Sequence, residues 1–198
     1  MDSRKVLVFV AALVPFGLLA GMAARGTLGA HPVEHVIHFT GQWTLNVLLA
    51  TLAVTPLRRL TGWKEPLRHR RMLGLFAFFY GSLHLLSYAG LDQWFDWAAI
   101  GHDIAKHPYI LVGLFAYVTM VPLAATSNRW AVSKLGRRWK QLHRLAYAVP
   151  ALGVLHFAWL VKKDLTEPLL YGAGLLILLA FRLPFAHNAG QALERPAP

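Results

Sequence analysis

Apolar runs recur along the chain at about residues 6–24, 41–57, 72–91, 108–125, 142–161 and 169–185, separated by short stretches rich in arginine, lysine or histidine. Such runs, at about 1.5 Å of helical rise per residue, approach the roughly 30 Å of a bilayer's hydrocarbon core. The pattern predicts a single all-α domain over residues 1–198, an integral membrane protein of six spanning helices. The first run follows MDSRK and also fits a signal peptide, but its 19 apolar residues exceed the usual hydrophobic core of about 7–15. A retained span is therefore expected. Pro56 is expected to end the second span. No repeat of fixed period is legible.

Loop charge orients these spans. Placing the N-terminus, the 58–71 loop, the 127–144 region and the C-terminus on one side gathers 16 of the 20 Lys and Arg there, leaving Arg25, Lys106, Lys162 and Lys163 opposite. By the positive-inside rule that side is the cytoplasm, so both termini are expected inside. The segment 92–107, which alternates acids with Trp and Phe, then lies at the outer interface.

Composition narrows the class further. With 56% hydrophobic and 15% charged residues, the chain is too apolar for an ordinary soluble domain. A net charge of +11 arises from short loop clusters rather than one basic face, which argues for topology and against nucleic acid. The absence of cysteine excludes disulfides, thiolate haem ligation, cysteine-held iron–sulfur clusters and thiol catalysis. Metal chemistry must use histidine, methionine or oxygen.

Ionisable side chains inside spans are costly and mark function. His84 in the third run and His156 in the fifth lie roughly 18 and 21 Å from the cytoplasmic starts of their helices. Two imidazoles at matched depth on different helices suit the axial positions of a b-type haem. His143, near the cytoplasmic end of the fifth run, has His69 as its depth partner. His69, however, stands among Arg68, Arg70 and Arg71, where a solvated basic loop explains it equally well. On an ideal helix His143 and His156 point roughly 140° apart, an angle that Pro150 between them can change. His38 enters the second run from the outer side, as an interfacial residue or at a haem edge. His31, His35, His102, His107 and His187 read as solvated loop residues. Gly74 and Gly81 would allow close approach of a macrocycle or a helix. Arg70, Arg71, Arg137, Arg138 and Arg144 can pair with propionates or another anion, although topology alone accounts for them.

The motifs HFTG (38–41), RRMLGLF (70–76), SLHLLSY (82–88), GRRWKQLHRLAY (136–147) and LHFAWLVK (155–162) fall in order over nearly the whole chain. Together they closely resemble the MsrQ family, formerly YedZ, within the ferric reductase and NADPH oxidase transmembrane superfamily. The resemblance implies a multi-pass protein of the bacterial inner membrane with haem b, one or two per chain. It implies that electrons pass to the periplasmic molybdopterin enzyme MsrP, which reduces methionine sulfoxide. It also implies haem ligation by His84, His143 and His156, flavin mononucleotide as a further cofactor, and the quinone pool or a cytosolic flavin reductase as donor. His69 has no counterpart in the family pattern, and no stretch is a recognisable flavin motif. Superfamily oxidases continue into a flavin and nicotinamide domain, whereas this chain ends thirteen residues after its sixth run. A separate donor is expected, and an electron-transfer subunit rather than an enzyme with its own substrate site. Two other readings compete: a stand-alone ferric or cupric reductase, and a haem-free transporter using its histidines as proton relays.

Overall fold

A computed structural model describes residues 3–161 and 163–182, and no strand occurs among them. The helices are α1 (Ser3–Ala24), α2 (Pro32–Thr61), α3 (Glu65–Leu86), α4 (Trp97–Lys106), α5 (Pro108–Ala125), α6 (Arg129–Leu135), α7 (Arg137–Leu142), α8 (Ala148–Leu160) and α9 (Thr166–Ala180). A π-helical turn at Ser87–Asp92 prolongs α3, and a 3-10 turn at His143–Tyr147 leads into α8. Two helix pairs form the frame: α2 lies along α3, and α5 along α8. The pairs meet where α3 touches α5 and α2 touches α8, α9 lies against α8 and α2, and α1 lies against α3 and α2. Among the described residues three helical stretches are long and apolar enough to cross a membrane: Ser3–Ala24, Glu65–Asp92 and Pro108–Ala125; α9 is a shorter apolar helix.

The core joins both pairs through Val47, Phe76, Ala77, Tyr80, Met120 and Val149. In lipid such packing acts mainly through close contact and satisfied backbone groups, because hydrocarbon competes for apolar side chains as water does not. Prolines show how that satisfaction is reached. Pro56 does not end α2: the helix runs on to Thr61, where Gly62, at φ 70°, closes it. Lacking an N–H, Pro56 leaves the Leu52 carbonyl without its helical donor, and Arg182 Nη2 donates to that carbonyl at 2.9 Å. Near Pro15, inside α1, the Tyr80 hydroxyl donates to the Ala12 carbonyl at 2.7 Å and accepts from the Phe16 N–H at 3.2 Å. Those are two groups that a straight helix pairs with each other.

Other limits shift for local reasons. Helix α2 starts at Pro32, a first-turn residue that needs no donor, so His35 and His38 stand on a helix and not in a loop. His102 likewise lies within α4. The expected fifth span is divided: the ring of Pro150, third residue of α8, would collide with the carbonyl one turn earlier, and His143–Tyr147 winds as the tighter 3-10 turn. In the 92–107 segment Asp96 caps α4, accepting from the Ala98 and Ala99 N–H groups at 2.9 and 3.0 Å. His187 and the end of the sixth run lie outside the described residues.

Candidate functional site

His84, near the C-terminal end of α3, and His156, on α8, face each other across the junction of the two helix pairs. Their ring centroids are 6.1 Å apart and their planes cross at 79°. His84 Nδ1 lies 2.9 Å from the Ile37 carbonyl oxygen on α2, and His156 Nδ1 lies 2.6 Å from the Tyr109 carbonyl oxygen on α5. A carbonyl only accepts, so each Nδ1 carries the proton and donates. Each Nε2 is left with a free lone pair, the state that binds a metal. Backbone acceptors of this kind also fix ring orientation and raise ligand basicity.

The haem expected from the sequence can be tested against these rings. With a metal–imidazole bond of roughly 2 Å, two imidazoles on opposite faces of one iron stand about 6 Å apart, centre to centre. The observed separation and tautomers fit. Among the described residues no group of three or more His, Cys, Asp or Glu side chains gathers to hold a bare ion.

The two rings are mounted alike. Each His stands 47 residues after the residue whose carbonyl it bonds. A Cβ added at Gly41 would meet His84 Cε1 and Nδ1 at 3.1 Å; one added at Gly113 would meet His156 Nδ1 at 2.8 Å and Cε1 at 2.9 Å. Every element of the second mount lies 72 residues after its counterpart: Ile37 and Tyr109, Gly41 and Gly113, His84 and His156. The sequence Gly-Ser-Leu-His at 81–84 returns as Gly-Val-Leu-His at 153–156. A Cβ added at Gly81 would meet Tyr117, Met120 and Thr44 at 3.6–3.7 Å, and one added at Gly153 would meet Leu45 at 2.8 Å. Leu45 and Tyr117 are themselves 72 apart, so the α2–α3 and α5–α8 pairs are internal counterparts. The register is unbroken from Ile37 to His84 and from Tyr109 to His156, but the two stretches share too few side chains for a repeat to be legible in the sequence alone.

The remaining candidates are placed otherwise. His143 Nε2 is 3.0 Å from Thr126 Oγ1, and that hydroxyl donates to the Pro122 carbonyl at 2.6 Å. With the hydroxyl proton committed, His143 is the donor and Nε2 carries its proton, the opposite tautomer to His84 and His156. Its ring stacks on Trp139 at 4.0 Å, and the Trp139 Nε1–H donates to the Thr126 carbonyl at 3.0 Å. His69 is 8% exposed, so it is not the solvated loop residue that its arginine neighbours suggested. Helix α3 already begins at Glu65, and one face of its first turns is covered. His38 is half-buried on α2 and pairs with Glu34 at 3.7 Å. Of the two glycines expected to admit close approach, Gly81 does so, whereas a Cβ at Gly74 would meet nothing within 4 Å.

Residues 37–154 match the family described as ferric reductase like transmembrane component. A Rhodospirillum rubrum protein named protein-methionine-sulfoxide reductase heme-binding subunit MsrQ is 54% identical over 180 residues, spanning 90% of this chain and 86% of its own. A Bordetella pertussis protein of the same name is 50% identical over 181 residues, with 90% and 88% coverage. One from Xanthomonas axonopodis pv. citri is 47% identical over 199 residues, with 98% and 91%. The chain belongs to the MsrQ family. The matched stretch begins at Ile37, whose carbonyl holds His84, and stops two residues short of His156. What sequence reasoning missed are the supports: the Ile37 and Tyr109 carbonyls and the Gly41 and Gly113 faces. The one signal that leads to them is the twice-written Gly-x-Leu-His, with a glycine 43 residues before each histidine.

Proposed function

We propose that this chain is a b-type cytochrome of the bacterial inner membrane, with six spans and both termini in the cytoplasm. It passes electrons from the quinone pool or a cytosolic flavin reductase to the periplasmic molybdopterin enzyme MsrP, which repairs oxidised methionine in proteins. The observation that carries the reading is the His84–His156 pair, at axial spacing with both Nδ1 protons committed to backbone. Bound there, a haem supplies a one-electron carrier. His84 and His156 would give their Nε2 lone pairs to the iron, one from each helix pair. The Ile37 and Tyr109 carbonyls hold those imidazoles in the ligating tautomer. His143, with Nε2–H engaged by Thr126, is not assigned to this haem. The names of the similar proteins support both the haem and the sulfoxide reductase system.

The test is a dithionite-reduced minus oxidised spectrum of detergent-purified protein, with a pyridine haemochrome count. A sharp b-type α band at one haem per chain is expected. A well-folded chain without a haem band would overturn the reading.

A further inference from the structure

We propose that Gly41 and Gly113 are positioning residues that set the angle between the His84 and His156 imidazole planes, and through it the electronic state of the iron those rings would hold. The proposal rests on the haem reading above and deepens it.

A histidine ring fixed only by one hydrogen bond can still rock about the N–H···O direction. Here a second restraint closes that freedom. One helical turn after the accepting carbonyl, at Gly41 on α2 and at Gly113 on α5, the neighbouring backbone comes so near the ring that a Cβ would stand 3.1 Å from His84 Nδ1 and 2.8 Å from His156 Nδ1. Carbonyl and bare backbone together form a two-point cradle for each imidazole. The same cradle occurs twice, in the same register, 72 residues apart. Such closeness is not general for helical glycines in this chain: Cβ atoms at Gly17, Gly21, Gly74 and Gly101 would meet nothing within 4 Å. Glycine also weakens a helix interior relative to alanine, so both cradles stand where helix propensity favours another residue.

The cradles hold the ring planes at 79°. Imidazoles donate π-density to the iron d orbitals lying perpendicular to their planes. Crossed rings therefore raise two such orbitals almost equally, whereas parallel rings split them. Low-spin ferric iron between crossed rings has a highly anisotropic electron paramagnetic resonance signal, and rotation of either ring toward the plane of the other reduces the anisotropy. A methyl group at either glycine must push its ring aside, by more at position 113, where the approach is under 3.0 Å, than at 41.

The experiment compares the full-length ferric protein with Gly41→Ala, Gly113→Ala and, as a control on α1, Gly17→Ala. The resonance spectrum is recorded beside haem content and circular dichroism. Expected are a highly anisotropic low-spin signal in the unsubstituted chain and in Gly17→Ala, a lower largest g value in Gly41→Ala, and a larger drop or a high-spin fraction in Gly113→Ala. If Gly113→Ala does not fold, Gly41→Ala decides alone. Haem-loaded cradle variants whose spectra overlay the unsubstituted protein would overturn the positioning role while leaving the cytochrome intact. An unsubstituted chain without haem would overturn both.

Discussion

The place of one ring proton distinguishes His143 from His84 and His156. His84 and His156 hold theirs on Nδ1 against carbonyls, and His143 holds its own on Nε2 against Thr126. On the proposed function, His84→Ala and His156→Ala each abolish the absorbance of the haem between them, while His143→Ala retains most of it. Reduced-minus-oxidised spectra of the three variants check this, and normal spectra in the first two would refute the ligand assignment. The histidines themselves were legible, because an imidazole inside an apolar run is expensive and conspicuous. Their supports were not. A main-chain carbonyl has no side-chain signature, and nothing local ties Gly41 to a ring 43 residues later. The burial of His69 was likewise hidden by its arginines, whose charge suggests solvent although the neighbouring position faces inward.

At the level of helices, prolines decide where sequence reasoning succeeds. The limits of α5 coincide with its apolar run, 108–125, because Pro108 begins it and no neighbour alters its ends. For α2 the expected stop at Pro56 fails, since a guanidinium more than a hundred residues away replaces the missing donor. Tyr80, fully buried, does similar service for α1. Tyr80→Phe removes the hydroxyl that bridges Ala12 and Phe16, and orphaned buried polar groups cost about 1–3 kcal/mol each. A lowered midpoint of thermal unfolding in detergent is expected, with the haem spectrum retained, because the two histidine rings are anchored on α2 and α5 and not through Tyr80. An unchanged midpoint would show that α1 needs no such bridge. The contact also ties α1 to α3.

For the whole molecule, the proposed orientation rests on loop charge, and a chain without cysteine is a ready background in which to test it. Ala105→Cys, on α4, is expected to react with a membrane-impermeant maleimide added to intact spheroplasts. Ser133→Cys, on α6, is expected to react only after lysis. The reverse pattern would invert the topology. Family membership and the all-helical architecture were readable from motif order and apolar runs. The internal duplication was not, because its two copies share few side chains and enclose different connections.

That duplication bears on the direction of electron flow. An iron held between His84 and His156 would meet the same kind of mount on either face, each with a backbone carbonyl, a glycine and the same tautomer, so the mounts themselves would give an electron no preferred sense. The proposed cytochrome is in this respect a wire and not a rectifier. The sense of the current is then imposed by the potentials of the donor and acceptor at its two ends, and a sufficiently reducing partner at the periplasmic face would drive the chain in reverse.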